Sequence, residues 1–360
     1  MAAVSGTAFA QSTVTLFGGA DLNYRSVTSG TNKFQGMAQD GIYSSRFGVR
    51  GEEDLGGGLK ANFHFEGGMN PDTGTPGGFN FARKSTIGVA GGFGEVRMGR
   101  DYTPLFTIAG IADPFGTNGV GSSYNLANSV TLASSEVTAA DVTTAGGFAT
   151  AATATANAVY ADPNAVRANN SVAYYSPSFS GFTAGLMYSF GSEATGTTNR
   201  DAGKMTSLKL QYGNGPLVAA LGTQSTKGAT DQKAKWATTF LAGSYDLGVA
   251  KVSAGYKTDK LTETDGVNSG SIKSTILGVA VPMGATTLKA SYVARKAEEK
   301  IGNQLAFGAV HDLSKRTSVY GTYSVLKNEE GFGNTVGSAI ASDFTGLKSK
   351  GFEFGVKHNF

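Results

Sequence analysis

The chain has 360 residues, with 52 glycines, no cysteine, 16% charged residues and a net charge of +3. That charge is too weak for a nucleic-acid binder, and the composition is neither the charge-rich type of disorder nor the leucine-rich type of a helical membrane protein. The longest apolar stretch, residues 276–285, is interrupted by Gly278, Pro282 and Gly284. It is far shorter than the roughly 20 residues of a membrane helix, so a membrane protein of this composition can only be a closed β-barrel.

At the N-terminus, Ala8-Phe9-Ala10 has the form of an A-x-A cleavage site behind the small and apolar residues 2–7. Residues 1–10 read as the remnant of a secretory signal peptide, with the mature chain starting at Gln11 and residues 11–360 forming a single barrel. The absence of cysteine suits the periplasm or outer membrane, although cysteine is also simply rare in many chains.

From there on, apolar and polar residues alternate, which puts them on opposite faces of a strand. Val14, Leu16, Gly18, Ala20, Leu22 and Tyr24 oppose Thr13, Thr15, Phe17, Gly19, Asp21, Asn23 and Arg25. Leu59, Ala61, Phe63 and Phe65 oppose Lys60, Asn62, His64 and Glu66. The pattern recurs at 182–190, 250–257 and 288–295, in segments of about ten residues, the length a tilted strand needs to cross a bilayer. Around 236–245 and 276–281 both parities are apolar. Short connectors (55–58, 91–94, 213–216, 246–248, 313–316) alternate with long ones (27–39, 70–80, 191–203, 226–234, 259–271, 328–346). This predicts an up-and-down antiparallel barrel of sixteen strands, with tight turns at one rim and long loops at the other. One connector is exceptional. Regular patterning stops after Tyr102 and resumes near Val166, across Asp113-Pro114-Phe115-Gly116 and an Ala/Thr-rich tract at 130–161. A loop this long is usually functional or disordered, and a barrel of this size has room for it inside. The chain ends in Phe352-Glu353-Phe354-Gly355-Val356-Lys357-His358-Asn359-Phe360, an amphipathic closing strand whose expected partner is the first strand.

Several segments resemble the general porins of β-proteobacteria. They are Ser45-Arg46-Phe47-Gly48-Val49-Arg50-Gly51-Glu52-Glu53-Asp54-Leu55-Gly56-Gly57-Gly58-Leu59-Lys60-Ala61, Gly99-Arg100-Asp101-Tyr102-Thr103-Pro104, residues 167–177, residues 313–320 and the terminal His358-Asn359-Phe360. The resemblance implies a homotrimer of 16-stranded barrels in the outer membrane of a Gram-negative bacterium, with the third long loop folded into the lumen. It implies contact with outer-membrane lipid and lipopolysaccharide, and assembly machinery that reads Phe360. It also implies passive diffusion of small hydrophilic, preferentially anionic solutes past an arginine cluster facing that loop. Carried over, Arg46, Arg83 and Arg167 form the cluster, Arg25 and Arg100 are neighbours, and Asp113 is the loop-side acid of the constriction. Asp113 precedes the proline, where many porins have Pro-Glu-Phe-Gly.

Parity independently turns Arg25, Lys60, Lys251, Lys289 and Arg295 toward the lumen, while Arg100 shares the parity of Val96 and Met98. Arginine is permanently charged, and a ring of such groups favours anions. Tyr24, Tyr188, Tyr212, Tyr256, Tyr292, Phe352 and Phe354 suit aromatic girdles. Enzyme signals are weak: His64, His311 and His358 are isolated and there is no G-x-S-x-G elbow. No cofactor is expected, and structural calcium is conceivable but not indicated, since no loop has EF-hand spacing. The alternative reading is a barrel acting mainly as an adhesin or phage receptor, which would need the third loop to project outward.

Overall fold

The computed structural model describes residues 12–74, 80–128, 130–132, 149–150, 158–192, 201–228, 234–262, 268–337 and 346–360. Residues 1–11, which include the expected signal remnant, most of the Ala/Thr-rich tract and parts of several long connectors lie outside them. The first wall strands are β1 (Thr13–Ser29), β2 (Asn32–Gln39), β3 (Arg46–Gly56), β4 (Leu59–Gly68), β5 (Lys84–Gly91) and β6 (Gly94–Tyr102). Two short helices follow, α1 (Phe106–Ala112) and α2 (Tyr124–Ala127), then a small separate sheet of β7 (Val130–Leu132), β8 (Ala149–Thr150) and β9 (Ala158–Tyr160). The wall resumes with β10 (Arg167–Tyr175), β11 (Phe182–Ser189), β12 (Met205–Asn214), β13 (Leu217–Lys227), β14 (Lys235–Asp246) and β15 (Lys251–Thr262). It is completed by β16 (Asn268–Met283), β17 (Thr286–Lys296), β18 (Lys300–Asp312), β19 (Thr317–Asn328) and β20 (Lys348–Asn359).

Apart from β2 and β3, which both pair with β1, each wall strand pairs antiparallel with the next, and β20 pairs with β1 from Gly19↔Asn359 to Ser29↔Ser349. Seventeen strands form the sheet, but β2 and β3 lie end to end along one edge of β1, β2 on Leu22–Ser29 and β3 on Thr13–Gly19. They share one position, so the wall has sixteen. Closure leaves no sheet edge, the condition for strands in hydrocarbon. At the seam, Phe360 and Gly18 exchange backbone hydrogen bonds of 3.1 and 3.3 Å. A Cβ on Gly18 would stand 2.6 Å from the Phe360 ring, so glycine is required for that ring to cross the seam.

The connectors differ from expectation in two places, one of them 259–271, where β15 and β16 pair as far as Thr262↔Asn268. Residues 27–39 are not a loop: β1 runs to Ser29 and folds back through a tight turn into β2. Thr28, Lys33 and Asn32 fit a ladder as well as they fit a loop, and only the pairing decides.

The outward faces carry the exposed apolar files, including Phe352, Phe354 and Val356 on β20 and Leu208 and Leu210 on β12. Inward faces are polar except beneath the segment that follows Tyr102. There Ile108, Ala109, Ala112, Val120 and Leu126 are buried against inward-facing Phe240, Ile276 and Val293. This accounts for the two stretches in which both parities are apolar: one face meets lipid, the other meets the loop. Glycines on the inward faces let it approach. A Cβ on Gly222 would lie 2.6 Å from Ile108, one on Gly255 2.8 Å from Ala112, and one on Gly278 2.7 Å from Pro114. Polar anchors complete the attachment. Ser207 Oγ accepts from Leu105 N (3.2 Å), Ser253 Oγ donates to Ala112 O (2.8 Å), Lys257 Nζ to Ala127 O (3.0 Å) and Gln304 Nε2 to Ser122 O (3.0 Å).

Candidate functional site

On the wall across from those anchors, Arg46, Arg83 and Arg167 come together. Arg46 opens β3, Arg83 stands just before β5 with its N–H donated to Glu66 O, and Arg167 opens β10 opposite Tyr102. Two acceptors, Glu66 and Tyr102, tie them into one group. Glu66 Oε1 lies 2.7 Å from Arg83 Nε and 3.4 Å from Arg46 NH1. The Tyr102 hydroxyl accepts from Arg83 NH2 and from Arg167 NH2, each at 2.7 Å. Arg46 also donates Nε to Ser44 O (2.8 Å) and stacks 4.2 Å from the Tyr43 ring, while Arg167 lies 4.4 Å from the Tyr102 ring. Stacking on an aromatic face and planar fork geometry hold a guanidinium still without neutralising it.

Among the described residues, Glu66 is the one carboxylate within ion-pair distance of any of the three arginines. Three fixed positive charges therefore share a single negative one. Below them on the inward file of β3, Arg50 lies 5.3 Å from the Phe17 ring and makes no ion pair among the described residues. Across the loop, charges are matched instead. Asp259, fully buried, meets Lys257 (3.0 Å) and Arg295 (3.3 Å), and Arg295 NH1 donates to Leu126 O. The sequence pattern left Arg295 as a lumen charge; under the loop it is wholly buried.

Arg25 is buried and compensated, with Nε 2.8 Å from Glu353 Oε2 and NH2 donated to Gln39 O (2.9 Å). Glu353 Oε1 in turn accepts from Val120 N (3.1 Å), so this pair holds the loop. Arg100 makes none of the hydrogen bonds that tie the cluster together. It pairs in register with Ser85, whose outward parity matches exposed Ile87, and its guanidinium donates to Ala82 O (2.6 Å) and Asn169 Oδ1. Its shared parity with Val96 and Met98 was the correct signal, and the inward placement carried over from the resemblance is corrected.

Asp113 also differs from expectation. It is 3% exposed, and its carboxylate accepts from Phe115 N (2.8 Å), Thr117 N (3.2 Å) and Ser123 N (2.8 Å). The acid braces its own loop instead of lining a passage, because it precedes the proline and turns back over the following chain. Burial pushes its carboxyl above the usual carboxylate range, opposed by those three N–H groups.

Glu66 and Tyr102 were not singled out as site residues. Glu66 ends the polar file of β4, so its parity was readable, but its height on the wall was not. Tyr102 sits where β6 leaves the sheet and stacks on Phe106 at 5.4 Å, a geometry no alternation pattern encodes. Among the described residues, no group of three or more His, Cys, Asp or Glu side chains is placed to hold a metal ion.

The site sits in a known family context. The Gram-negative porin family matches residues 1–331. Outer membrane porin protein 32 of Delftia acidovorans is 36% identical, with 99% of this chain and 97% of that protein covered. An outer membrane porin protein of Bordetella pertussis is 29% identical over 100% of this chain and 97% of its own length. Among solved structures, an anion-selective porin from Comamonas acidovorans superposes with a TM-score of 0.80 at 33% identity, covering 97% of this chain and 100% of that one. With a shared barrel and near end-to-end coverage, the chain belongs to the Gram-negative porin family.

Proposed function

We propose that this chain forms a passive diffusion channel in the Gram-negative outer membrane for small hydrophilic solutes, with a preference for anions. The observation that carries the reading is the wall group of Arg46, Arg83 and Arg167 around one carboxylate, Glu66. The segment 103–128 narrows the lumen opposite that group, so solutes cross within reach of its field. Near a low-dielectric wall the interaction of two charges is several-fold stronger than the ~1 kcal/mol at 4 Å in bulk water. The Comamonas structure named as anion-selective supports the same sign. The working unit is a homotrimer embedded among outer-membrane lipid and lipopolysaccharide, and the assembly machinery recognises the closing strand through Phe360.

Reversal potentials across planar bilayers under a salt gradient test the claim. The parent is expected to give an anion-side potential, and Arg46→Ala to move it toward zero. A cation-side potential for the parent, or no shift in the variant, defeats the anion preference.

A further inference from the structure

Below the arginine group, toward the rim of tight turns, the lumen wall holds a second set of donors. Thr15 of β1 stands directly opposite Arg50 of β3, Arg50 opposite His64 of β4, and His64 opposite Thr86 of β5. These inward side chains form one row across the wall, two residues below Glu66, or about 7 Å along the strand. With Lys84 and Arg97 they line a recess of about 480 Å³. The Phe17 ring is shared between the two basic groups of the row. It meets the His64 ring edge-on at 5.1 Å and lies 5.3 Å from the Arg50 guanidinium. His64 Nε2 lies 3.5 Å from Glu66 Oε2 and has no other partner among the described residues.

The charges that face His64 come from four strands. On β3, Arg50 stands opposite it, and Glu52 is held by Lys60 of β4 at 2.6 Å. On β4 itself, Glu66 is held by Arg83 and Arg46. From β5, Lys84 meets Asp101 at 3.1 Å. From β6, Arg97 meets Asp101 at 2.8 Å and Glu95 at 3.0 Å. β1 contributes Thr13, Thr15 and Phe17, none of which titrates. Between pH 5 and 8 carboxylates, lysines and arginines ordinarily keep their charge, whereas histidine changes it. The chain's other two histidines, His311 and His358, share the outward parity of exposed Phe307 and Phe354 and face away from the lumen.

We propose that Arg50 and His64 form a second anion step on the solute path, fixed at Arg50 and switched on at His64 by protonation, so that the anion preference strengthens as pH falls. With a neutral imidazole, Arg50 is the unmatched charge of the row. An imidazolium adds a second positive charge directly opposite it and carries an N–H on both ring nitrogens. Two like charges opposed across paired strands repel. Glu66 Oε2 on one side and a small anion in the recess on the other offset that repulsion. Glu66 does not cancel the gain, because it is already outnumbered by Arg46 and Arg83, and the net charge of the wall still rises by one. The inference rests on the channel reading above and deepens it, since it names the residue that sets how strongly anions are preferred at a given pH.

The test is the reversal potential of the full chain in planar bilayers under a potassium chloride gradient, read at pH 8 and at pH 5, the two sides of the histidine range. One unit charge about 7 Å from the ion path changes the permeability ratio roughly threefold at about 0.1 M salt. The parent's chloride-to-potassium ratio is therefore expected to rise about threefold on acidification. His64→Gln is expected to keep the parent's alkaline ratio at both pH values, and His64→Arg the parent's acid ratio at both. Arg50→Gln is expected to lower the ratio about threefold at both pH values while keeping the response to pH. Heat-modifiable migration verifies the barrel in each variant. A parent ratio indifferent to pH, an undiminished response in His64→Gln, or an Arg50→Gln ratio equal to the parent's each overturns the proposal. A parent that selects cations at both pH values, with an acid shift that His64→Gln abolishes, would defeat the anion preference proposed above and leave the step at His64 standing.

Discussion

Replacing Glu66 by glutamine removes one negative charge from the arginine group and changes little else. The amide oxygen of glutamine keeps an acceptor beside Arg83 Nε, now 2.7 Å from the carboxylate, so the guanidinium positions are retained. A monovalent ion passing about 7 Å from that carboxylate interacts with it by roughly 0.6 kcal/mol at the dielectric of water. Screening at 0.1 M salt, where the Debye length is about 10 Å, leaves roughly 0.3 kcal/mol. Losing it enriches anions ~1.7-fold and depletes cations by the same factor, so the permeability ratio rises about threefold. At 0.01 M the Debye length is near 30 Å and the expected rise is about fivefold. Reversal potentials measured at both ionic strengths give the ratio directly. A ratio that stays put, that moves toward cations, or that responds equally at both salt levels would refute the reasoning, because a field from a lumen-facing carboxylate must have that sign and must be screened.

Other substitutions probe the scaffold around the passage. Gly222→Val sets a side chain against Ile108, which a Cβ alone would approach to 2.6 Å, so α1 is expected to lift while the barrel still forms. Single-channel records should then show higher open-state noise with unchanged heat-modifiable migration, and loss of the barrel instead would mean the loop is part of its folding core. Gly18→Val drives atoms into the Phe360 ring and the Arg46 carbonyl, each 2.6 Å from a Cβ at that site, and is expected to cut refolding yield severely. A yield equal to the parent's would remove the seam from the assembly argument. The third-loop brace is pH-dependent: with its carboxyl raised by burial, folded Asp113 holds a proton more tightly than the unfolded chain does. Its contribution to loop stability therefore falls as pH rises from the ordinary carboxylate range through the raised value, and returns on acidification. Protection factors for the Phe115 and Ser123 amides should increase toward acid in the parent and stay flat in Asp113→Asn.

How much of this was readable in the sequence depends on what alternation encodes. It encodes a side, and the sides were right. The Lys60–Glu66 file faces inward, the Phe352–Phe360 file faces lipid, and the terminal strand closes on Thr13–Ser29. It does not encode height. Glu66 meets Arg83 and Arg46 because β4 is paired with Gly68↔Arg46 on one side and Glu66↔Lys84 on the other, and that register is invisible in any single strand. Arg100 is the reverse case. Its parity gave the answer, and the family pattern pulled it inward. The helices were not read from the sequence, although Thr103-Pro104 is a start signal for the first of them. Phe106-Thr107-Ile108-Ala109-Gly110-Ile111-Ala112 has no acidic first turn, and although Thr103 Oγ1 accepts from Phe106 N (3.2 Å), Ile108, Ala109 and Ala112 are held chiefly by the barrel wall.

The positive charges of the lumen divide by whether water reaches them, and the division locates the selectivity. A buried charge without a partner is costly by several kcal/mol, and among the described residues the buried cations beneath the loop, Arg25, Lys257 and Arg295, are all matched. Lys257 and Arg295 share Asp259, and Arg25 takes Glu353. Arg97 on β6 is likewise matched by Glu95 and Asp101. Where the wall borders the passage, solvent bears that cost, and Arg46, Arg83, Arg167 and Arg50 can outnumber their acids. A chain with a net charge of only +3 can thus present a strongly positive local field. The field is what remains once the charges that hold the loop in place have been cancelled. It follows that mutating a matched cation such as Arg295 should disturb loop attachment before it disturbs ion preference, whereas mutating Arg46 should do the opposite.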